Sequence, residues 1–168
     1  APKAMSFEEA CTLPTIWGTV HVAMGDGAWL RAGQPALQPA AAGGVGLIAV
    51  EYGHWLHSTL MTTAGRPQKQ GLLRDQLGLR ELLSSRDGPT FAFGGARRAR
   101  GKRLQWALNS LSNDFISGTL ALLGEGAFFG EIGKRGVWSA TRQAAAAPQL
   151  RCHTIAYDLD TLATPSWM

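Results

Sequence analysis

The sequence predicts a doubly wound α/β fold: one domain with a parallel sheet and helices on both faces. Three observations carry this. Short apolar runs alternate with helical stretches of about ten residues, the pattern of parallel β-α-β units. Residues 36–50, ALQPAAAGGVGLIAV, place a strand, a turn of small residues with glycines at 43, 44 and 46, and then a helix in direct succession. The chain has 168 residues, 45% hydrophobic and 17% charged, enough for one globular domain with a sizeable core.

Ser6 followed by Glu9 is a capping-box pair, so a short helix is expected from Phe7. Pro14 suits a first helical turn and predicts a second helix through TIWGTVHVAM, apolar on all sides and therefore buried. MGDGAWLRAGQP breaks the pattern, and ALQPA reads as the first strand. GLIAVEYGHWL then reads as a helix, STLMTT as a strand, KQGLLRDQLG as a helix and ELLSS as a strand. A polar, glycine-rich stretch follows with no assigned element. LQWALNSL reads as a strand, DFISGTLALLG as a helix closed by Gly124, GAFFGEIG as a strand, SATRQAAAA as a helix and LRCHTIAYD as a last strand. The sequence shows no internal repeat. Residues 1–32 form a helical lead-in, 33–158 the sheet domain and 159–168 a tail.

Composition narrows the function. No apolar run approaches the roughly 18 residues of a membrane span, and APKAMSFEE lacks the design of a signal peptide. Cys11 and Cys152 have no metal-type spacing and are too few for a disulfide scaffold, so a reducing, cytoplasmic setting is expected. His54 and His57 have no acidic or cysteine partner beside them, so no metal is expected. The net charge of +4 is modest and comes largely from ARRARGKR, residues 96–103. That run reads as a solvated loop and not as a nucleic-acid surface.

The glycine turn has two readings: a plain flexible turn, or a backbone that approaches a phosphate. The first strand-to-helix turn of a doubly wound sheet is where a dinucleotide's pyrophosphate meets the free N–H groups of a helix start. The G-x-G-x-x-G pattern falls on Ala41, Gly43 and Gly46, with Gly44 and Val45 between and alanine replacing the first glycine. On this reading a valine at 43 or 46 abolishes dinucleotide binding and leaves the domain folded. About 20 residues on, an NAD site places an acid. Here TTAGRPQK has none, but offers Thr62, Thr63, Arg66 and Lys69. Cations there suit a 2′-phosphate and favour NADP(H), unless Arg66 and Lys69 only cap a surface helix.

Taken in order, MSFEEACTLPTIWGTVHVAM, AAAGGVGLIAVEYG, LLSSRD, LNSLSNDFISGTLALLGEGAFFGEIGK and YDL resemble the enoylreductase domains of modular polyketide synthases and of animal fatty acid synthase, within the medium-chain dehydrogenase/reductase superfamily. The resemblance spans nearly the whole chain. It implies a Rossmann-type domain and a zinc-free transfer of hydride from NADPH to the β-carbon of an α,β-unsaturated thioester on an acyl carrier protein. It also implies that Asn109 and Ser110 of LNSL, with Gly133 of EIGK, lie along the cofactor. Lys134 and Asp158 match polar residues placed near the reacting carbons: lysine as proton donor or enolate stabiliser, aspartate as its orienter or relay. His21 stands where family members often carry a tyrosine linked to proton delivery, and histidine also donates protons.

The sequence departs from the family at Pro39, which removes a backbone donor beside the turn, and at Gln105 and Trp106, where an acidic residue is usual. Only the cofactor-binding half is represented; the substrate half belongs to sequence before residue 1 and after residue 168. Residues 1–32 and 159–168 would then link to that half, within a polyketide synthase chain or a larger complex. Two readings follow: part of a working enoylreductase, or an inactive Rossmann scaffold or accessory subunit derived from that family. Whether the chain is itself an enzyme stays open at this point.

Overall fold

A computed structural model describes residues 4–27 and 30–163. Helix α1 (Phe7–Val20) passes into a π-helical segment, His21–Gly27, before the first strand. Thereafter strand and helix alternate: β1 (Ala36–Gln38), α2 (Gly44–Trp55), β2 (Leu60–Thr63), α3 (Pro67–Asp75), β3 (Glu81–Leu83), α4 (Gly88–Ala99) and β4 (Leu104–Asn109). The chain continues with α5 (Asp114–Leu122), β5 (Leu123–Glu131), α6 (Ala140–Ala146), β6 (Arg151–Thr154) and α7 (Tyr157–Ala163). The six strands form one sheet in the order β3-β2-β1-β4-β5-β6, and every pairing is parallel. This is the Rossmann order, with the topological switch between β1 and β4.

A strand turns successive side chains to opposite faces, and the four central strands each use that to feed two cores. Ala36, Leu60, Trp106 and Phe128 pack with Val20, Val50 and Leu73 on the α1–α3 side. Their neighbours Leu37, Met61, Ala107 and Phe129 pack with Phe91, Ile116 and Leu120 on the α4–α5 side. Burial on both faces is why these strands read as unbroken apolar runs.

The elements differ from the sequence reading in four places. The two expected N-terminal helices are one. Ser6 does form the capping box with Glu9, at 2.8 and 3.1 Å, but Pro14 lies inside α1. The helix continues through it without the amide donor at that position. The glycine-rich stretch after β3 is helix α4. Asp87 caps it, accepting from the Thr90 amide at 2.7 Å, and Pro89 occupies the first turn. Its glycines are needed for packing: a Cβ on Gly95 would meet Leu122 Cδ1 at 2.7 Å. Gly124 does not close α5, because Leu123 is already extended and starts β5. The last strand stops at Thr154, so Tyr157 and Asp158 belong to α7, with Asp158 in its acidic first turn.

The basic run is also not a plain loop. Arg97 and Arg98 lie in the last turn of α4, where cations suit the helix dipole. Arg98 also pairs with Glu81 at 3.3 Å, and Arg103 donates to the Ala121 carbonyl.

Pro14 leaves the Ala10 carbonyl without its helical donor. Pro14→Ala restores that bond and is expected to raise stability by about 1–3 kcal/mol, read as a higher denaturation midpoint in urea.

Candidate functional site

At the switch point α2 leaves β1 toward one face and α5 leaves β4 toward the other, opening a crevice at the C-terminal ends of the strands. The turn after β1 is held by β2. Ala40 adopts a left-handed φ of 50°; its amide donates to Thr63 Oγ1 at 2.9 Å, and the Ala41 amide donates to the Thr63 carbonyl at 3.0 Å. Pro39, which has no amide to give, instead accepts at its carbonyl from Gln38 Nε2 at 2.9 Å.

Helix α2 begins at Gly44, with Gly43 as its N-cap and no side-chain cap. The amides of Gly44, Val45 and Gly46 therefore face the crevice without intrahelical acceptors, the arrangement that binds an anion. Gly43 and Gly46 serve different ends. A Cβ on Gly46 would meet the Ala40 carbonyl oxygen at 2.4 Å and Ala41 Cα at 2.7 Å, so this glycine lets the helix lie against its own turn. A Cβ on Gly43 would meet only the Ala40 oxygen, at 3.3 Å. Gly46 is thus part of the fold, which corrects the expectation that a valine there leaves the domain intact.

Beside the turn is a cavity of about 380 Å³ whose lining includes Gly43, Thr63, Arg66, Lys69, Ser85 and Arg86. Among the described residues no carboxylate lines it. Arg66 is the N-cap of α3 and Lys69 lies in its first turn, where the helix dipole disfavours a cation. Both cations thus stand at the positive end of α3. Thr62 is fully buried with its hydroxyl unpartnered, whereas the Thr63 hydroxyl is engaged by the turn.

Ser85 and Arg86 were missed by the sequence reading. They follow β3, and Arg86 lies over Gly65, whose carbonyl accepts from Arg86 Nε at 3.4 Å. A Cβ on Gly65 would strike Arg86 Nε at 2.6 Å and Ser85 Oγ at 2.9 Å. The available signal was SSR at the end of a strand adjacent to the one searched.

Across the crevice, Lys134 follows β5 and meets Asp158 of α7 at 2.6 Å. Both are exposed, and the lysine's hydrogen bond is the main cause holding the Asp158 carboxyl below its ordinary range. The pair therefore stands accessible to solvent. Asn109 lies beneath, wholly buried, with its amide used internally. Its Nδ2 donates to the Leu111 carbonyl at 2.7 Å and to Glu131 Oε2 at 2.8 Å. Glu131, also missed, is wholly buried, and its Oε1 accepts from the Gly133 amide at 2.7 Å. Burial pushes its carboxyl above the usual value, partly offset by these two donors.

Asn109 thus organises the site floor from inside, while Ser110 beside it is half-buried. His21 belongs to the segment between α1 and β1. It begins the π-helix, exposed, and a Cβ on Gly25 would meet His21 Nδ1 at 3.3 Å and the Tyr52 hydroxyl at 3.7 Å. Among the described residues, no three metal-ligating side chains cluster, and no helix is long and apolar enough to cross a membrane.

No protein-family model matches the chain. Over 138 residues, 81% of the chain, it is 34% identical to the highly reducing polyketide synthase AN6791 of Emericella nidulans. Over the same length it is 36% identical to the reducing polyketide synthase rdc5 of Metacordyceps chlamydosporia. It spans only 5% and 6% of those proteins. Among solved structures, the CurK enoyl reductase superimposes with a TM-score of 0.91 at 32% identity, covering 99% of this chain and 49% of that one. The nucleotide-binding subdomain of the enoylreductase domain of PpsC from Mycobacterium tuberculosis gives 0.81 at 27%, covering 91% of this chain and 86% of that one.

The two glycines are separable by experiment. Gly46→Val is expected to lower the thermal midpoint sharply, by 3 kcal/mol or more in stability, because backbone must move. Gly43→Val should stay folded by circular dichroism and lose dinucleotide binding, measured by calorimetric titration. Equal stability of the two variants would contradict this division.

Proposed function

We propose that this chain, which belongs to the enoylreductase domains of polyketide synthases as their nucleotide-binding half, binds NADPH and forms one wall of the site where an enoyl thioester on an acyl carrier protein is reduced. The observation that carries the cofactor choice is the carboxylate-free cavity with Arg66, Lys69 and Arg86 at one end and the open amides of α2 at the other. The residues fit a phosphorylated dinucleotide. The amides take the pyrophosphate, and the three cations with Ser85 take the adenosine 2′-phosphate. The cradle at Gly65, which a Cβ would fill, lets Arg86 lie flat over the pocket floor.

When bound, the nicotinamide supplies a hydride for the β-carbon of the enoyl group. The chain's own part is to handle the charge and proton that follow. Lys134, exposed beyond β5 and hydrogen-bonded to Asp158, stabilises the enolate oxygen or delivers a proton to the α-carbon. Asp158 holds the lysine's Nζ in position. The substrate half, supplied by the remainder of a larger synthase, closes the site.

The test of the cofactor assignment is titration of the chain with NADPH and NADH. NADPH is expected to bind more than roughly tenfold tighter, and Arg86→Ala or Arg66→Ala to remove most of that difference while leaving NADH binding unchanged. Equal affinity for both cofactors would refute it.

The chemical role needs the complete reductase. There Lys134→Ala is expected to lower kcat for a crotonyl thioester about ten- to a hundredfold with NADPH affinity unchanged. An unchanged kcat would remove Lys134 from the reaction.

A further inference from the structure

One cavity lies outside the cofactor crevice and is built from unusual materials. It occupies about 340 Å³ on the outer side of α1 and α2 and is lined by Trp17, Glu51, Tyr52 and Trp55. Three of the four are aromatic. Trp55 is 70% exposed, an uncommon state for the most apolar-surfaced of side chains. It is held on the surface by Tyr52, one helical turn earlier, with ring centroids 5.4 Å apart and planes tilted by 56°. Trp17 contributes from the neighbouring helix, which packs along α2.

The charge of this cavity is as distinctive as its shape. The chain carries a net charge of +4, yet among the described residues no lysine or arginine lines this cavity. Among the described lining residues the one charged group is the carboxylate of Glu51, which forms no ion pair with any described residue. Tilted aromatic rings present negative faces, and a carboxylate alongside adds full charge. The ligand such a wall prefers is a cation with weakly held water, because a compact ammonium gives up more hydration than the rings return. Methylated nitrogen meets that requirement, with methyl groups that also cover the indole surface.

We propose that Trp17, Tyr52, Trp55 and Glu51 form a binding site for a quaternary ammonium group. The site is separate from the NADPH crevice, so its occupancy does not depend on the reductase reading. The aromatic rings supply the cation–π walls, and Glu51 supplies the opposite charge at the rim.

The test uses the whole 168-residue chain with tetramethylammonium as probe and 3,3-dimethylbutan-1-ol as its neutral isostere. Binding is followed by the indole N–H resonances of Trp17 and Trp55, identified with single Trp→Phe variants, which also confirm that the chain remains folded. Tetramethylammonium is expected to shift both resonances saturably and to bind roughly tenfold tighter than the alcohol. Glu51→Gln should weaken the cation severalfold and leave the alcohol unchanged, and Trp55→Ala should lose most of the binding. Choline and N-trimethyllysine, titrated in turn, then show whether a small molecule or a side chain presents the cation better. If the alcohol binds as tightly as the cation, the surface is a plain apolar patch and the proposal fails. It fails equally if the folded chain shows no saturable shift.

Discussion

The Lys134 end of the crevice rests on one buried contact, the 2.8 Å hydrogen bond from Asn109 to Glu131. The two residues end adjacent strands at matched register, and each then reaches into the loop that follows a strand. Asn109 holds Leu111 after β4, and Glu131 holds Gly133 after β5. The Glu131 carbonyl also accepts from the Ile155 amide at 2.8 Å, which fixes the chain leaving β6. Lys134 and Asp158 lie one and three residues beyond those anchored points. A buried carboxyl group with two N–H donors thus sets where an exposed ion pair stands. Surface ion pairs are individually weak, so the pair relies on the anchored loops for its position.

The two ends of the crevice use opposite means. At the glycine-turn end the backbone amides of α2 are left open, and two positions lack a side chain so that helix, turn and Arg86 can come close. Gly46 and Gly65 are the positions where a Cβ would collide with the turn or with Arg86. At the other end the backbone is tied down and side chains supply the charge. The cations of the first end stand at a helix start where the dipole repels them. Such an arrangement stores a local electrostatic cost that a bound anion relieves.

What could be read in the sequence follows from the range of the interactions concerned. The alternation of strands and helices, the glycine turn and the capping box are local patterns, and each appears where its residues placed it. Helix α4 was hidden because its glycines argue against a helix locally, while their reason, the approach of Leu83 and Leu122, lies on other elements. Pro14 misled in the same way, since the helix continues through it without the amide donor at that position. In the site, Lys134 and Asp158 were found by resemblance and do meet. Ser85 and Arg86 come from a third strand that only the sheet order brings to the cavity. Glu131 had no local signal, because a glutamate in an apolar strand becomes meaningful only when Asn109 is known to face it.

The strand order has a consequence for how the chain acquires its shape. β1 is three residues long, and its partner on one side is β4, so Ala36 must wait for Trp106. During synthesis the glycine turn emerges early, but its strand has a single neighbour until the second half of the chain is made. Pairings this remote raise the entropic cost of the folding nucleus and slow its formation. β4 and β5, by contrast, share the longest pairing in the sheet and are consecutive in sequence. Folding is thus expected to begin in the half that carries Lys134, with the glycine turn completed when β1 docks onto it.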